Sequence, residues 1–128
     1  MTESVADTAS AAVAQKIVMD YFMSIMTDRE NVPVFYARDA VLSWENQNYN
    51  GQQQIKELFS KLPEQVTFKI SGYDVQPVIR TDLLTTVIVF GTYQVSGFKL
   101  QDFHSVFYVY VRRNEGIAYI KYQVFTTF

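Results

Sequence analysis

From Val66 onward the chain consists of runs that alternate at period two, and both faces of most runs are apolar. Turn residues mark off four runs: Val66–Val78, Leu83–Val95, Leu100–Arg112 and Ile117–Phe128. The last two are joined by Arg113-Asn114-Glu115-Gly116. Successive side chains on a strand point to opposite faces. In the second run Leu83, Val87, Val89 and Tyr93 share one side, and Leu84, Ile88 and Phe90 the other. In the third, Phe103, Phe107, Val109 and Val111 oppose Val106, Tyr108 and Tyr110. In the last, Tyr119 and Phe125 oppose Ile120, Tyr122, Val124 and Phe128. An antiparallel sheet with one wet face would alternate apolar with polar. Here both faces need cover.

The first half supplies cover for one face. Val13, Ile17, Val18, Tyr21, Phe22, Ile25 and Met26 fall three or four apart, which predicts an amphipathic helix from about Thr8 to Met26. Pro33 is expected to open a second short helix anchored by Val34, Phe35 and Tyr36, since proline is tolerated in a first turn. Ala40–Trp44 is a predicted strand and Asn46–Gly51 a polar turn. A third helix buries Ile55, Leu58, Phe59 and Leu62 and stops at Pro63. Helices first and antiparallel strands afterwards define an α+β fold, with three N-terminal helices packed on one face of a curved antiparallel sheet. Three short helices cover one side only. The second apolar face then belongs to a protein partner, or is buried in a closed barrel or a ligand cavity.

A chain of 128 residues forms one domain, 1–128, with residues 1–8 expected as a flexible leader. Hydrophobic residues at 48% against 19% charged exclude a disordered tail. A net charge of −2 argues against a sequence-independent grip on nucleic-acid phosphates. No cysteine is present, which removes disulfides, thiolate nucleophiles and Cys-based metal sites and fits a reducing compartment. No segment approaches the ~20 apolar residues of a membrane helix. The start, Met1-Thr2-Glu3-Ser4-Val5-Ala6-Asp7, is acidic where a secretory signal is basic. A cytosolic or nuclear protein without a membrane partner is expected.

Several residue groups invite a chemical role. Asp102 and His104 share a strand face, as an imidazole and its orienting carboxylate would. Ser105 points the other way, so no nucleophile accompanies them, and an interface histidine is the favoured reading. A single histidine with scattered carboxylates lacks metal-ligand spacing. Glu45, beside Trp44 at the strand rim, suits a raised-pKa acid, an anchor for a basic partner side chain, or a solvated turn residue. Tyr108, Tyr110 and Arg112 share one face; an acidic chain without a Lys/Arg stripe makes this an aromatic protein interface rather than a base-stacking platform. No loop suited to cradling phosphate is present, and no catalytic residue, metal or cofactor is assigned.

The order of motifs resembles the nuclear transport factor 2 family. Phe35-Tyr36 leads to Ala40-Val41-Leu42-Ser43-Trp44-Glu45, then Asn50-Gly51, Ile55…Leu58-Phe59…Leu62-Pro63, Asp74-Val75-Gln76-Pro77 and Asp102-Phe103-His104-Ser105-Val106-Phe107. The resemblance covers roughly Ala12 to Phe125 and implies a cone: three helices packed into a strongly bent antiparallel sheet whose open face pairs with another protein. Three branches differ in what they imply. Ketosteroid-isomerase-like members are enzymes; Tyr21 falls where they keep a catalytic Tyr, but Trp44 and Ser105 replace their two acidic positions, and Trp44 would fill their cavity. The homodimeric Ran-GDP import carrier would place Glu45 on Ran, but its acidic pair falls at Ser96 and Phe98 here. The small mRNA-export cofactor matches at Gln76-Pro77-Val78 and Gln101-Asp102-Phe103, and pairs with the related domain of a large mRNA-export receptor. Thr126 stands where that branch usually presents an Arg.

The export branch is the preferred reading. It implies a non-enzymatic heterodimer, shuttling between nucleus and cytoplasm through the nuclear pore, with nucleoporin Phe-Gly repeats as a further implied ligand. The interface is expected at Asp102, His104, Tyr108, Tyr110, Tyr122, Val124, Thr126 and Phe128, with no direct contact to nucleic acid.

Overall fold

A computed structural model describes residues 5–77, 84–112, 115 and 117–128. Helix α1, Val5–Thr27, starts earlier than its apolar stripe, inside the stretch expected to be a flexible leader. It buries Ala14, Val18, Tyr21, Phe22 and Ile25. The helix ends where Ser24 Oγ donates to the Asp28 carbonyl at 2.9 Å. A 3₁₀ segment follows at Arg29–Phe35, and Pro33 lies inside it. The expectation that Pro33 opens a helix is corrected: the turn starts at Arg29. The Arg29 guanidinium donates to the carbonyls of Leu62 (3.0 Å), Pro63 (2.6 Å) and Glu64 (3.0 Å), satisfying groups past the end of the next helix.

Strand β1 spans Tyr36–Trp44, four residues longer at its start than predicted, and β2 spans Gln47–Asn50. The expected polar turn over Asn46–Gly51 is instead a hairpin. Its two turn residues, Glu45 (φ 52°) and Asn46 (φ 69°), are left-handed, as a tight hairpin between right-twisted strands requires. Helix α2, Gly51–Lys61, buries Ile55, Leu58 and Phe59, and the backbone N–H of Asn50 donates to Gln54 Oε1 at 2.7 Å. The remaining strands are β3 (Val66–Pro77), β4 (Leu84–Val95), β5 (Gln101–Arg112) and β6 (Ile117–Thr127). Val78 and Leu83, expected in β3 and β4, lie outside the described residues.

The six strands form one sheet in the order β2-β1-β6-β5-β4-β3. It is open rather than a closed barrel, with β2 and β3 at the edges. One pairing departs from the antiparallel expectation: β1 runs parallel to β6. Two bulges matter for the faces. In β6, Tyr122 pairs with Tyr108 but Ile120 pairs with Val109, leaving Lys121 as the extra residue. A bulge resets the alternation, so Ile120 is fully buried in the core and Tyr119 lies outward, the reverse of strict period-two counting. In β3 the register shifts between Ile70 and Gly72. A Cβ on Gly91 would fall on the Lys69 carbonyl oxygen, so this close approach of β3 and β4 needs glycine.

The core lies between the sheet and the three helical segments. Trp44 stacks on Phe125 (ring centroids 3.9 Å, 12° between planes) and meets Phe59 edge-on at 5.5 Å. Phe22, Phe68, Phe103 and Phe107 continue the aromatic packing. Trp44 thus occupies interior space, as its bulk predicted.

Candidate functional site

Two groups of residues could carry function: a polar set inside the sheet and the outward sheet face. The inner set is Tyr21 from α1, Tyr36 from β1, and Ser105 and Gln123 from β5 and β6, all fully buried. Tyr36 Oη donates to Gln123 Oε1. Gln123 Nε2 donates to Tyr21 Oη at 3.2 Å and to Ser105 Oγ at 3.0 Å. Ser105 Oγ donates to the Val124 carbonyl at 3.0 Å. The two phenol oxygens are 3.0 Å apart. Each phenol carries one proton, and that of Tyr36 goes to Gln123, so the Tyr21 proton faces the Tyr36 oxygen. The result is a closed ring of three groups in which every proton has an acceptor. Burial raises the pKa of both tyrosines. Every polar atom is committed to a neighbour, so the set acts as a polar cross-brace for α1, β1, β5 and β6.

Tyr93, also on the inner face, is pushed up to about 12, first by burial and then by the Glu45 carboxylate. Glu45 itself is anchored: its carboxylate accepts from the Thr127 backbone N–H at 2.8 Å and from Thr127 Oγ1 at 3.0 Å. Its side chain ties the β1–β2 hairpin to the end of β6.

The register of β4, β5 and β6 assembles the outward face. Val106 pairs with Ile88 and Val124; His104 with Phe90 and Thr126; Tyr108 with Thr86 and Tyr122; Asp102 with Thr92. Parallel pairing adds Val41 beside Tyr122 and Ser43 beside Val124. Asp102, His104, Tyr108, Tyr110, Tyr122, Val124 and Thr126 therefore lie in one contiguous field on the side away from the helices. Phe128 sits at its end, 76% exposed, its backbone N–H donating to the Asp102 carbonyl at 2.9 Å. The rings of Tyr108 and Tyr122 are 5.8 Å apart. Tyr110 pairs across the strands with Tyr119, and Arg112 sits 5.6 Å from the Tyr110 ring centre with Nε donating to its hydroxyl at 3.3 Å. Among the described residues no cluster of His, Cys, Asp and Glu is arranged to hold a metal ion.

Sequence reasoning missed several members of this field. Alternation puts Ile88 and Phe90 on one side of β4 without telling which side faces outward, and neither is among the expected interface residues, although Phe90 is 48% exposed. The available signal was Gly72: a Cβ there would enter the Phe90 ring, so the ring lies over the glycine of the neighbouring strand. Tyr119 was hidden by the β6 bulge. Tyr36 belongs to the Phe35-Tyr36 motif but carries no sign of a buried polar role, and Gln123 shows only as a glutamine flanked by Tyr122 and Val124.

Comparison with known proteins agrees with this architecture. The nuclear transport factor 2 (NTF2) domain matches residues 13–125. NTF2-related export protein 1 of Schizosaccharomyces pombe is 30% identical over 102 residues, which is 77% of this chain and 84% of that protein. NTF2-related export protein 1 of Bos taurus is 33% identical over 98 residues, 73% of this chain and 69% of that protein. Among solved structures, nuclear transport factor 2 from Cryptosporidium parvum superposes with a TM-score of 0.82 at 23% identity, covering 93% of this chain and 94% of its own. A match across nearly the whole chain, in sequence and in fold, makes this chain a member of the nuclear transport factor 2 domain family.

Proposed function

We propose that the chain is a non-catalytic nuclear export cofactor that pairs, through the outward face of β4, β5 and β6, with the NTF2-like domain of a large mRNA-export receptor. The observation that carries this reading is the face itself. Three strands of the sheet present Ile88, Phe90, Val106, Tyr108, Tyr110, Tyr122 and Val124 on the side that no helix among the described residues covers. Single exposed apolar residues are ordinary on a monomer, but a contiguous field rich in tyrosine is the composition of a protein interface. Burying ~1,600 Å² in total would suffice for a stable complex. Tyr108, Tyr110 and Tyr122 would be the anchors, and Asp102, His104, Thr126 and Phe128 the rim. The names of the yeast and bovine relatives support an export role. The filled interior around Trp44 and the fully committed Tyr21–Tyr36–Gln123 ring support a role without catalysis. Such a cofactor would shuttle between nucleus and cytoplasm and leave RNA contacts to its partner.

The test is co-purification and calorimetry with the purified NTF2-like domain of the export receptor. A one-to-one complex is expected, abolished by Tyr110→Asp with Val124→Asp while the variant stays folded and soluble. Pairing that survives this double change would remove the face from the proposal. Self-association with capture of Ran-GDP, lost in Glu45→Lys, would move the chain to the import-carrier branch.

A further inference from the structure

A groove opens at one end of the outward face, and its chemistry differs from the rest. Tyr36 pairs with Ile120 and Val41 with Tyr122, so β1 advances five residues while β6 advances two. The surplus β1 residues cannot all pair with β6, and two contiguous hollows of about 500 and 300 Å³, sharing Ala37 and Tyr119, lie at this point. Tyr110 and Tyr119 wall the larger hollow, which Arg112 and Lys121 reach from β5 and β6, while Arg38 of β1 lines the smaller one beside Gln52 of α2. Two carboxylates stand nearby. Asp39 accepts from Lys121 Nζ at 2.8 Å while 76% exposed, and Glu115 lies 3.7 Å from Arg112, beyond hydrogen-bond range. Exposed pairs of this kind are weak and easily exchanged. Arg112 is steadied by the Tyr110 hydroxyl at its Nε, which leaves the terminal nitrogens of its fork for a second acceptor.

We infer that this groove seats a carboxylate side chain of the sheet partner, which fixes the register of pairing; the inference rests on the heterodimer reading above. Among the described residues, Arg38, Arg112 and Lys121 stand against Glu115 and the nearby Asp39, so an incoming acid suits the groove better than an incoming lysine. Tyr110 belongs to both the groove and the tyrosine field, so the groove is the rim of the same face. Rim charges steer and orient complexes more than they hold them. A single-stranded RNA fits less well: it needs a stripe of cations along its backbone, and Leu84–Val95, Gln101–Val111 and Tyr122–Thr127, the strands of the field, contain no lysine or arginine.

The experiment measures affinity for the purified NTF2-like domain of the export receptor at two salt concentrations. Comparators are the unaltered chain, Arg112→Glu with Lys121→Glu, and Lys16→Glu with Lys56→Glu on the helix side. The groove variant should lose about tenfold or more in affinity at low salt, with a flatter salt dependence. The helix-side variant should stay within about twofold of the unaltered chain, since exposed charges outside an interface contribute little. If the groove reversal perturbs folding, seen as a shifted melting temperature, Arg112→Gln with Lys121→Gln should give a smaller loss in the same direction. Pairing unchanged by both groove variants overturns the inference and leaves the heterodimer standing. Absence of pairing by the unaltered chain removes the heterodimer reading, and the groove assignment with it. Binding of a single-stranded RNA oligonucleotide by the chain alone, lost in the groove variant, overturns the assignment in favour of nucleic acid.

Discussion

Replacing Tyr36 by Phe is a sharp test of the buried ring. The change removes one oxygen and leaves the ring volume nearly intact, so packing losses are small. It strands two groups: Gln123 Oε1 loses its donor, and the Tyr21 proton loses the oxygen 3.0 Å away. Both residues are fully buried, so water cannot replace either partner. A stranded buried polar group costs about 1–3 kcal/mol, and two together give roughly 2–6 kcal/mol. At about 4 °C per kcal/mol for a domain of this size, the melting temperature should fall by roughly 8–24 °C. The triple variant Tyr21→Phe, Tyr36→Phe, Gln123→Leu removes donors and acceptors together and leaves Ser105 on the Val124 carbonyl. It should be more stable than the single variant, because deleting both sides of a hydrogen bond costs less than deleting one. Urea unfolding followed by Trp44 fluorescence reads both quantities, with an unchanged m-value confirming the same transition. A loss below about 0.5 kcal/mol for Tyr36→Phe, or a triple variant weaker than the single, would refute the ring as the source of the stability.

Three further outcomes are expected. Tyr21, Tyr36 and Tyr93 have folded pKa values above the unfolded value of 10, so their protons are held by the native state alone as pH rises past it. Stability should therefore be intact below about pH 10 and fall above it, by up to about 1.4 kcal/mol per pH unit for each tyrosine, with phenolate absorbance from Tyr21 and Tyr36 appearing only as near-ultraviolet circular dichroism is lost. Gly91→Ala should destabilise by roughly 1–3 kcal/mol in chemical denaturation because backbone blocks the new methyl, whereas Gly72→Ala, blocked only by the movable Phe90 ring, should cost less and act chiefly on partner binding. Glu45→Ala should cost about 1 kcal/mol and speed amide exchange at Thr127, which loses its acceptor.

The parts of this molecule written in local periodicity were legible. The stripe Val18-Tyr21-Phe22-Ile25 and the Ile55-Leu58-Phe59 face both give their helices, and the four strand runs lie within a residue or two of their observed limits. The nominated field on β5 and β6 was legible for the same reason, since Tyr108, Tyr110, Tyr122 and Val124 keep the alternation locally. What period-two counting cannot see is an extra residue. Lys121 carries no sign of a bulge, yet it moves Ile120 inward and Tyr119 outward. Parallel pairing of β1 with β6 is a nonlocal choice, fixed by core packing such as Trp44 on Phe125 rather than by any signal within either strand. The groove beside Ala37 follows from that mismatch and was invisible for the same reason.

Parallel docking of β1 on β6 also sets when the domain can form. Leu42 and Trp44 must wait for Gln123 and Phe125, their partners from the far side of the sequence. Pairings over such separations are slow, because the closure entropy of the whole intervening chain precedes any gain. On the ribosome, α1, β1 and α2 therefore emerge with their apolar sides uncovered, for several seconds at ordinary synthesis rates of about 5–20 residues per second. The β3–β4 and β4–β5 hairpins can assemble before then, but the sheet stays in two pieces until β6 is inserted between β5 and β1. A cut before β6 would remove the joint between the two pieces, and the nascent protein has its greatest need of a chaperone just before that strand is made.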